Sequence, residues 1–159
     1  MGVPSVEMMW GQYPDGEKSA VAAVVGGDVG KHIKEDDWDT CCIRVSRCLN
    51  YAGSPVTGWS KMLNPYMDKG SYVRASKGGD EKWYIYSTYD FRVYLTNTFG
   101  QPRRFGGDAS SSSVSGLKGI IMFGFVHVDL WNGSEVRHLE FFGDSRIKSE
   151  NVLVWPSAT

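Results

Sequence analysis

The sequence lacks a long apolar run, a strong net charge and a secretory leader. No segment approaches the roughly 20 consecutive apolar residues that a membrane-spanning helix needs, so we expect no membrane insertion. Lys and Arg together number 17 and Asp and Glu 18, which gives no general electrostatic reason to expect nucleic acid as a partner. Residues 1–7 lack the basic region and apolar core of a secretory signal. We therefore expect synthesis in the cytoplasm and, for action elsewhere, another route of delivery.

Cysteine and histidine are scarce, with three of each in the chain. The cysteines, Cys41, Cys42 and Cys48, lie in one short stretch. If that stretch is a helix, Cys41 and Cys48 are roughly 10 Å apart, beyond the ~7 Å between Cα atoms that a disulfide allows. No CxxC pair occurs, and the histidines are distant in sequence. We therefore expect no intrachain disulfide, no metal site and no bound cofactor.

Glycine and aromatic residues are abundant, at 19 glycines and 13% aromatics, which favours strands and tight turns over a helical bundle. A chain of 159 residues is most simply one domain, residues 1–159. The pattern predicts helices at 41–52 and 89–99, strands at 82–86, 118–131, 135–142 and 152–155, a helix or buried strand at 19–25, and loops at 31–37, 56–80 and 106–116. Helices thus precede a mainly antiparallel sheet, which indicates the α+β class.

Residues 39–50 predict a helix with a thiol at its positive end. Asp39 or Thr40 can cap this helix by accepting from its first free N–H groups. One buried stripe is formed by Cys41, Val45, Cys48, Leu49 and Ala52. Cys41 then lies where the stripe meets the helix N-terminus, and the helix dipole stabilises a thiolate there. The alternative is packing, the usual role of a small buried cysteine and the one we assign to Cys42 and Cys48.

The dipeptide Asn132-Gly133 predicts a two-residue hairpin turn. With that turn, His127 lies directly opposite His138, and Asp129 lies on the same face of the sheet because side chains alternate along a strand. A nucleophilic thiol needs a base, and the base needs a group that fixes its tautomer. We therefore predict His127 as base and His138 as the orienting residue, with Asp129 as the alternative. A cysteine at a helix start and a histidine on a later strand follow the order of papain-like hydrolases.

Two blocks of the sequence resemble the fourth family of type VI secretion amidase effectors. The first, D-T-C-C-I-R-V-S at 39–46 with Leu49, Asn50 and Gly53, resembles a nucleophile motif that reads approximately N-T-C-A-I-R-x-S-x-x-L-N-x-x-G. The second, K-G-I-I-M-F at 118–123 followed by H-V-D-L-W-N-G at 127–133, resembles the family's G-I-I-x-F … G-H-x-D-L-W-x-G block. Residues 26–29 resemble its Gly-Gly lead-in. The likeness extends from about residue 26 to beyond 133 and is weak between the blocks.

This resemblance implies a papain-like (NlpC-type) cysteine peptidase fold, with the nucleophile at a helix N-terminus packed on an antiparallel sheet. It implies hydrolysis of the γ-D-glutamyl–meso-diaminopimelate amide in peptidoglycan stem peptides. Cys41 would attack, His127 would protonate the leaving amine, and the Cys41 N–H would stabilise the oxyanion. It also implies an antibacterial toxin that type VI secretion delivers into the target cell's periplasm, and a cognate immunity protein as partner.

The sequence departs from the family pattern at three positions. Val126 stands where the family has a glycine before the histidine, and Cys42 replaces an alanine. His138 stands where the family has its third catalytic residue, an aspartate. These departures keep two other hypotheses in view: a catalytically inactive cell-wall-binding or interaction module of the same fold, and a cysteine hydrolase that acts on another amide.

Overall fold

The computed structural model describes residues 2–158, which form a layer of helices and a central antiparallel sheet. The α-helices of this part of the chain are α1 (Val6–Gln12), α2 (Lys18–Val25), α3 (Gly27–Asp36), α4 (Cys41–Tyr51) and α5 (Thr88–Phe99). Its strands are β1 (Ser76–Lys77), β2 (Trp83–Tyr84), β3 (Arg103–Gly106), β4 (Gly119–Phe123), β5 (His127–Trp131) and β6 (Asn151–Pro156). Short 3-10 turns lie at Trp59–Lys61, Ser111–Val114 and Ser145–Ile147.

The main sheet has the strand order β3-β6-β4-β5, and every neighbouring pair is antiparallel. β4 lies inside the sheet and is buried along its whole length, as its continuous apolar run predicts. Ile120 and Met122 belong to one core cluster, whereas Ile121 and Phe123 belong to the cluster on the opposite face. This alternation follows from the two-residue period of a strand. β4 therefore joins the two halves of the core.

Helices α1, α4 and α5 pack their apolar side chains against one face of the sheet and form the first cluster together with it. α4 is buried on almost every side, because α2 and α3 cover its remaining face through Ile43. All three guanidinium nitrogens of its buried Arg44 donate hydrogen bonds: Nε donates to Thr40 Oγ1, and the two terminal nitrogens donate to the carbonyls of Pro14 and Gly16. These bonds fix the segment after α1 against the start of α4. The predicted helix at 41–52 is thus confirmed to within a residue.

The predicted hairpin is wrong. Residues 118–131 form two strands rather than one, and Phe123 pairs with His127 across a tight turn at 124–126. The turn is possible because Gly124 adopts φ 52°, in the left-handed region that glycine enters without a Cβ penalty. An apolar run on either side of a single glycine reads as one long strand, so the sequence pattern conceals this turn.

The segment at 135–142 is not a strand. Among the described residues, its one β-bridge to β5 is the isolated one between Trp131 and Val136, beside which the Arg137 N–H donates to the Leu130 carbonyl. The side chain of Asn132 instead accepts hydrogen bonds from the backbone N–H groups of Ser134 and Glu135. Asparagine commonly closes a turn in this way, and here it starts a loop in place of a returning strand.

The structure confirms some of the remaining secondary-structure predictions and corrects others. The helix at 89–99 and the last strand at 152–155 are confirmed by α5 and β6. The loop predicted at 31–37 is wrong, because Val29 and Ile33 of α3 are buried against the α2–α4 cluster. The strand predicted at 82–86 shrinks to β2, and residues 19–25 lie in the helix α2.

Candidate active site

A cleft of about 570 Å³ lies where the start of α4 meets the start of β5. Cys41, His127 and His138 line it, together with Asp39 and Val126. A smaller cavity of about 210 Å³ shares Asp39, Cys41 and Val126 with this cleft. Cys41 therefore lies between two depressions, an arrangement that can hold the two halves of an extended substrate on either side of a nucleophile.

Cys41 is the first residue of α4 and is 6% exposed. Thr40 precedes it without a side-chain capping bond. Asp39 provides the local bond instead, since its Oδ1 accepts from the Cys41 backbone N–H at 2.9 Å. The prediction that Asp39 or Thr40 closes the helix start is thus met by Asp39, through a contact that aspartate often makes two residues along the chain.

His127 is the first residue of β5 and is buried. Its Nε2 lies 2.8 Å from Oδ2 of Asp129, which is two residues further along the same strand and therefore on the same face. This contact occupies one ring nitrogen and leaves Nδ1 for the Cys41 thiol. Because α4 packs directly against β5, the fold brings the predicted nucleophile and base together.

Asp129 is fully buried, and its carboxylate is surrounded by donors. Oδ1 accepts from the backbone N–H of Leu130 at 2.8 Å. Oδ2 accepts from the backbone N–H groups of His138 and Leu139 at 3.2 and 3.0 Å, in addition to the His127 contact. Buried charge needs such partners to offset its desolvation. The carboxylate is therefore held in one orientation by the main chain.

His138 contacts Asp129 through its backbone N–H, whereas the prediction gave the orienting role to its ring. The predicted pairing of His127 with His138 is wrong, because Trp131 bridges Val136 and not Ser134, and the segment that follows is a loop. The His138 ring lines the cleft, is largely exposed and lies 6.2 Å from the ring of Tyr13. Burial and the charge of Arg44 lower the pKa of His138, which favours its neutral form. Asp129, the alternative orienting residue, makes the ring contact that His138 does not.

The pKa values of Cys41 and His127 move in opposite directions. A hydrogen bond with the Cys42 thiol lowers the pKa of Cys41, burial opposes this, and hydrogen bonding with His127 lowers it further, to about 7. Burial lowers the pKa of His127, but hydrogen bonds with Asp129 and Cys41 outweigh it and raise that pKa to about 9. A thiol that is more acidic than the neighbouring imidazolium favours a thiolate–imidazolium pair. Such a pair is the ground state that thiol nucleophiles require.

The other two thiols lack these partners. Cys42 is 2% exposed with Sγ 4.0 Å from that of Cys41, and burial, followed by the hydrogen bond to Cys41, raises its pKa. Burial also raises the pKa of Cys48. All three cysteines are free thiols. Cys42 is thus placed to donate to the Cys41 thiolate rather than to replace it, a role that no sequence signal indicated.

Sequence reasoning also missed the turn that positions the base. The backbone N–H of Phe125 donates to Oε1 of Glu150, and the hydroxyl of Thr88 donates to the Phe125 carbonyl at 2.7 Å. The ring of Phe125 stacks on Tyr89. These contacts fix the turn at 124–126 from both sides, and with it the first residue of β5. The only signal in the sequence was Gly124 within an apolar run.

Among residues 2–158, no group of three or more His, Cys, Asp or Glu side chains is placed to hold a metal ion. The same residues include no helix with the length and apolar character needed to cross a membrane.

The fold and the site define an α+β protein that presents a thiol and an imidazole in one cleft between a helix and an antiparallel sheet, with a buried carboxylate in contact with the imidazole. Residues 38–155 match the model of type VI secretion system (T6SS) amidase effector protein 4, Tae4. The chain belongs to this family of amidase effectors. The comparison with curated proteins gave no match.

Solved structures of Tae4 proteins are similar over nearly the whole chain. The effector Tae4 from Salmonella typhimurium, in complex with the immunity protein Tai4 from Enterobacter cloacae, is 30% identical, with a TM-score of 0.77 over 97% of this chain and 99% of that one. Tae4 in the effector–immunity complex from Enterobacter cloacae is 25% identical, with a TM-score of 0.79 over 97% and 98%. A structure of Enterobacter cloacae Tae4 by itself is 24% identical with a TM-score of 0.78, and shows the shared fold.

Proposed function

We propose that the protein is a peptidoglycan amidase that hydrolyses the γ-D-glutamyl–meso-diaminopimelate amide of stem peptides by cysteine catalysis. The observation that carries this proposal is the position of the Cys41 thiol, whose pKa is lowered to about 7 beside His127 in the cleft. Membership of the amidase effector family supports the reaction class. We assign residues 1–159 to one domain with a papain-like (NlpC-type) fold, which fits a nucleophile at a helix start packed on an antiparallel sheet.

In the first step, the Cys41 thiolate adds to the amide carbonyl and forms a tetrahedral intermediate. The His127 imidazolium then gives its proton to the amide nitrogen, the C–N bond breaks, and the diaminopimelate amine leaves. The γ-D-glutamyl group remains on Cys41 as a thioester. His127, now neutral, takes a proton from water, which attacks the thioester and releases the free carboxylic acid and the Cys41 thiolate, so that the thiolate–imidazolium pair is restored.

Asp129 is the third member of this site, in place of His138. Its carboxylate contacts Nε2 of His127, and the other ring nitrogen, Nδ1, is left for Cys41. The carboxylate therefore fixes the tautomer of His127 and stabilises its imidazolium. The backbone N–H groups that surround it hold its orientation during the proton transfers. We assign no catalytic role to the His138 ring.

Delivery and inhibition follow from the family. Members are effectors of the type VI secretion system, so we propose that the protein is an antibacterial toxin that reaches the target cell's periplasm by this route. The related Salmonella and Enterobacter effectors are solved with Tai4 immunity proteins. We propose that the producer of this chain makes a cognate immunity protein that blocks the cleft containing Cys41.

Purified sacculi test the reaction. Incubation with the protein, followed by muropeptide analysis by liquid chromatography and mass spectrometry, should release fragments that begin with free diaminopimelate. Cys41→Ala should release none, whereas Cys42→Ala, the matched neighbour, should retain cleavage. Unchanged muropeptides with folded protein would support the inactive module instead, and cleavage of a different amide would support the other hydrolase. Loss of activity only in Cys42→Ala would identify Cys42 as the nucleophile.

A further inference from the structure

One hydrogen bond in the cleft conflicts with the reaction. A thioester-forming attack needs donors for the developing oxyanion, and the backbone N–H of Cys41, at the start of α4, is the donor next to the nucleophile. In the structure this N–H is already used, because it donates to Oδ1 of Asp39 at 2.9 Å. The group that would stabilise the oxyanion therefore faces a carboxylate.

The carboxylate cannot remain there during the attack. Two negatively charged oxygens cannot share one N–H at hydrogen-bond distance without strong repulsion, because the cleft wall around Cys41 is buried and screens charge poorly. Asp39 itself is exposed and lines both depressions beside Cys41. Its side chain can therefore rotate into solvent without leaving an unpaired buried charge.

On the basis of the proposed function, we propose that Asp39 is a gate that occupies the oxyanion position in the resting enzyme and must leave before Cys41 attacks. This makes Asp39 a specificity-determining residue. A substrate is turned over only if its contacts in the two depressions displace the carboxylate, and an anionic group brought close to the Cys41 sulfur is repelled. The charge of Asp39 also acts on the thiol, since it raises the pKa of Cys41 against the lowering effect of His127.

The substitution Asp39→Asn removes the charge of the side chain and keeps its shape. Asparagine keeps the oxygen that accepts from Cys41 and hence the local turn, but it holds this N–H less strongly and does not repel an oxyanion. Asp28→Asn is the matched control, because it removes the same charge from an exposed position of α3 that lines neither depression.

The first measurement uses alkylation and does not depend on the substrate. The Cys41 thiolate displaces iodide from neutral iodoacetamide or anionic iodoacetate, and mass spectrometry of the peptide that contains Cys41 gives both rates. We expect Asp39→Asn to raise the ratio of the iodoacetate rate to the iodoacetamide rate by about threefold to tenfold, because the change in thiolate population affects both rates equally and the ratio reports the repulsion of the anion. Asp28→Asn should leave the ratio unchanged. An unchanged ratio in Asp39→Asn would overturn the gate.

The second measurement is turnover of a soluble stem peptide. We expect Asp39→Asn to raise kcat/KM by about threefold to tenfold, since the carboxylate must be displaced between the free enzyme and the transition state that forms the oxyanion. A fall in kcat/KM with intact folding, shown by an unchanged circular dichroism spectrum, would mean that Asp39 assists the reaction and would overturn the proposal. If the wild-type protein cleaves no stem peptide, the proposed function fails, and the alkylation ratio alone decides the gate.

Discussion

The two ends of helix α4 carry the same side chain in opposite chemical states. At its start, Cys41 meets a cleft, the thiol of Cys42 and the imidazole of His127, and its pKa falls to about 7. Two turns later, Cys48 lies in the core, and burial raises its pKa. Both cysteines are almost inaccessible to solvent, so burial alone does not decide reactivity. The difference comes from the hydrogen-bond partners available at a helix N-terminus.

Exchange of the thiol at the reactive end should produce the largest effect. Cys41→Ala removes the nucleophile, and we expect the rate of stem-peptide cleavage to fall by about 10⁴-fold or more. Muropeptide release from sacculi measures this loss. Retained cleavage would show that the nucleophile is another residue and that Cys41 is not the reactive thiol of α4.

The orienting carboxylate should rank second. Asp129→Asn removes the charge that stabilises the imidazolium, and we expect kcat to fall by about 10³-fold. The matched variant, His138→Ala, keeps the backbone N–H that binds Asp129 and should change kcat by less than about threefold. Steady-state kinetics on a stem peptide distinguish them. A large effect from His138→Ala and a small one from Asp129→Asn would restore the histidine as third member.

The reactive pair should appear in the pH dependence of kcat/KM. Below pH about 7 the Cys41 thiol is protonated and the rate falls, and above pH about 9 the His127 imidazolium loses the proton that the leaving amine needs. We therefore expect a bell-shaped profile with a maximum between these values. In Asp129→Asn the alkaline limb should move to lower pH, because the carboxylate that raises the pKa of His127 is gone and burial is less opposed. If the alkaline limb of Asp129→Asn stays at the wild-type pH, Asp129 does not act on His127.

The smallest effect on activity should come from the unreactive end. Cys48→Ala leaves a small cavity in the core and should lower the free energy of unfolding by about 1–2 kcal/mol. Chemical denaturation measures this loss, and kcat per folded molecule should stay unchanged. A marked fall in kcat would show that the two ends of α4 are coupled.

Local signals were enough to predict that Cys41 begins a helix and that His127 lies on a strand, because both features depend on short-range patterns. The apolar stripe of the helix and the alternation from His127 to Asp129 are properties of neighbouring residues. The start of α4 therefore lay within one residue of its predicted position. The roles of Cys41 as nucleophile and His127 as base remain proposals until the variants are measured.

The partner of the base could not be chosen from the sequence, because the choice depends on which strand pairs with β5. Asn132-Gly133 is a strong hairpin signal, and the chain turns there, but the strand that pairs with β5 is β4, across the turn at Gly124, where Glu150 accepts from the following backbone N–H. That contact joins residues 25 positions apart. Helix α3 was missed for the same reason, since its apolar positions are few and are buried only against α2 and α4. Tertiary contacts override local patterns in both places.

The main-chain contacts to Asp129 have a consequence for how the protein can change during evolution. Because position 138 contributes only its N–H group to the carboxylate, any side chain that fits the cleft mouth is compatible with that contact. Proline is the exception, since it has no N–H to donate. Selection on the reaction can thus leave residue identity at this position almost free while it conserves the path of the backbone. With Asp129 in the orienting role, a position that holds an aspartate in the family pattern can hold a histidine in this chain.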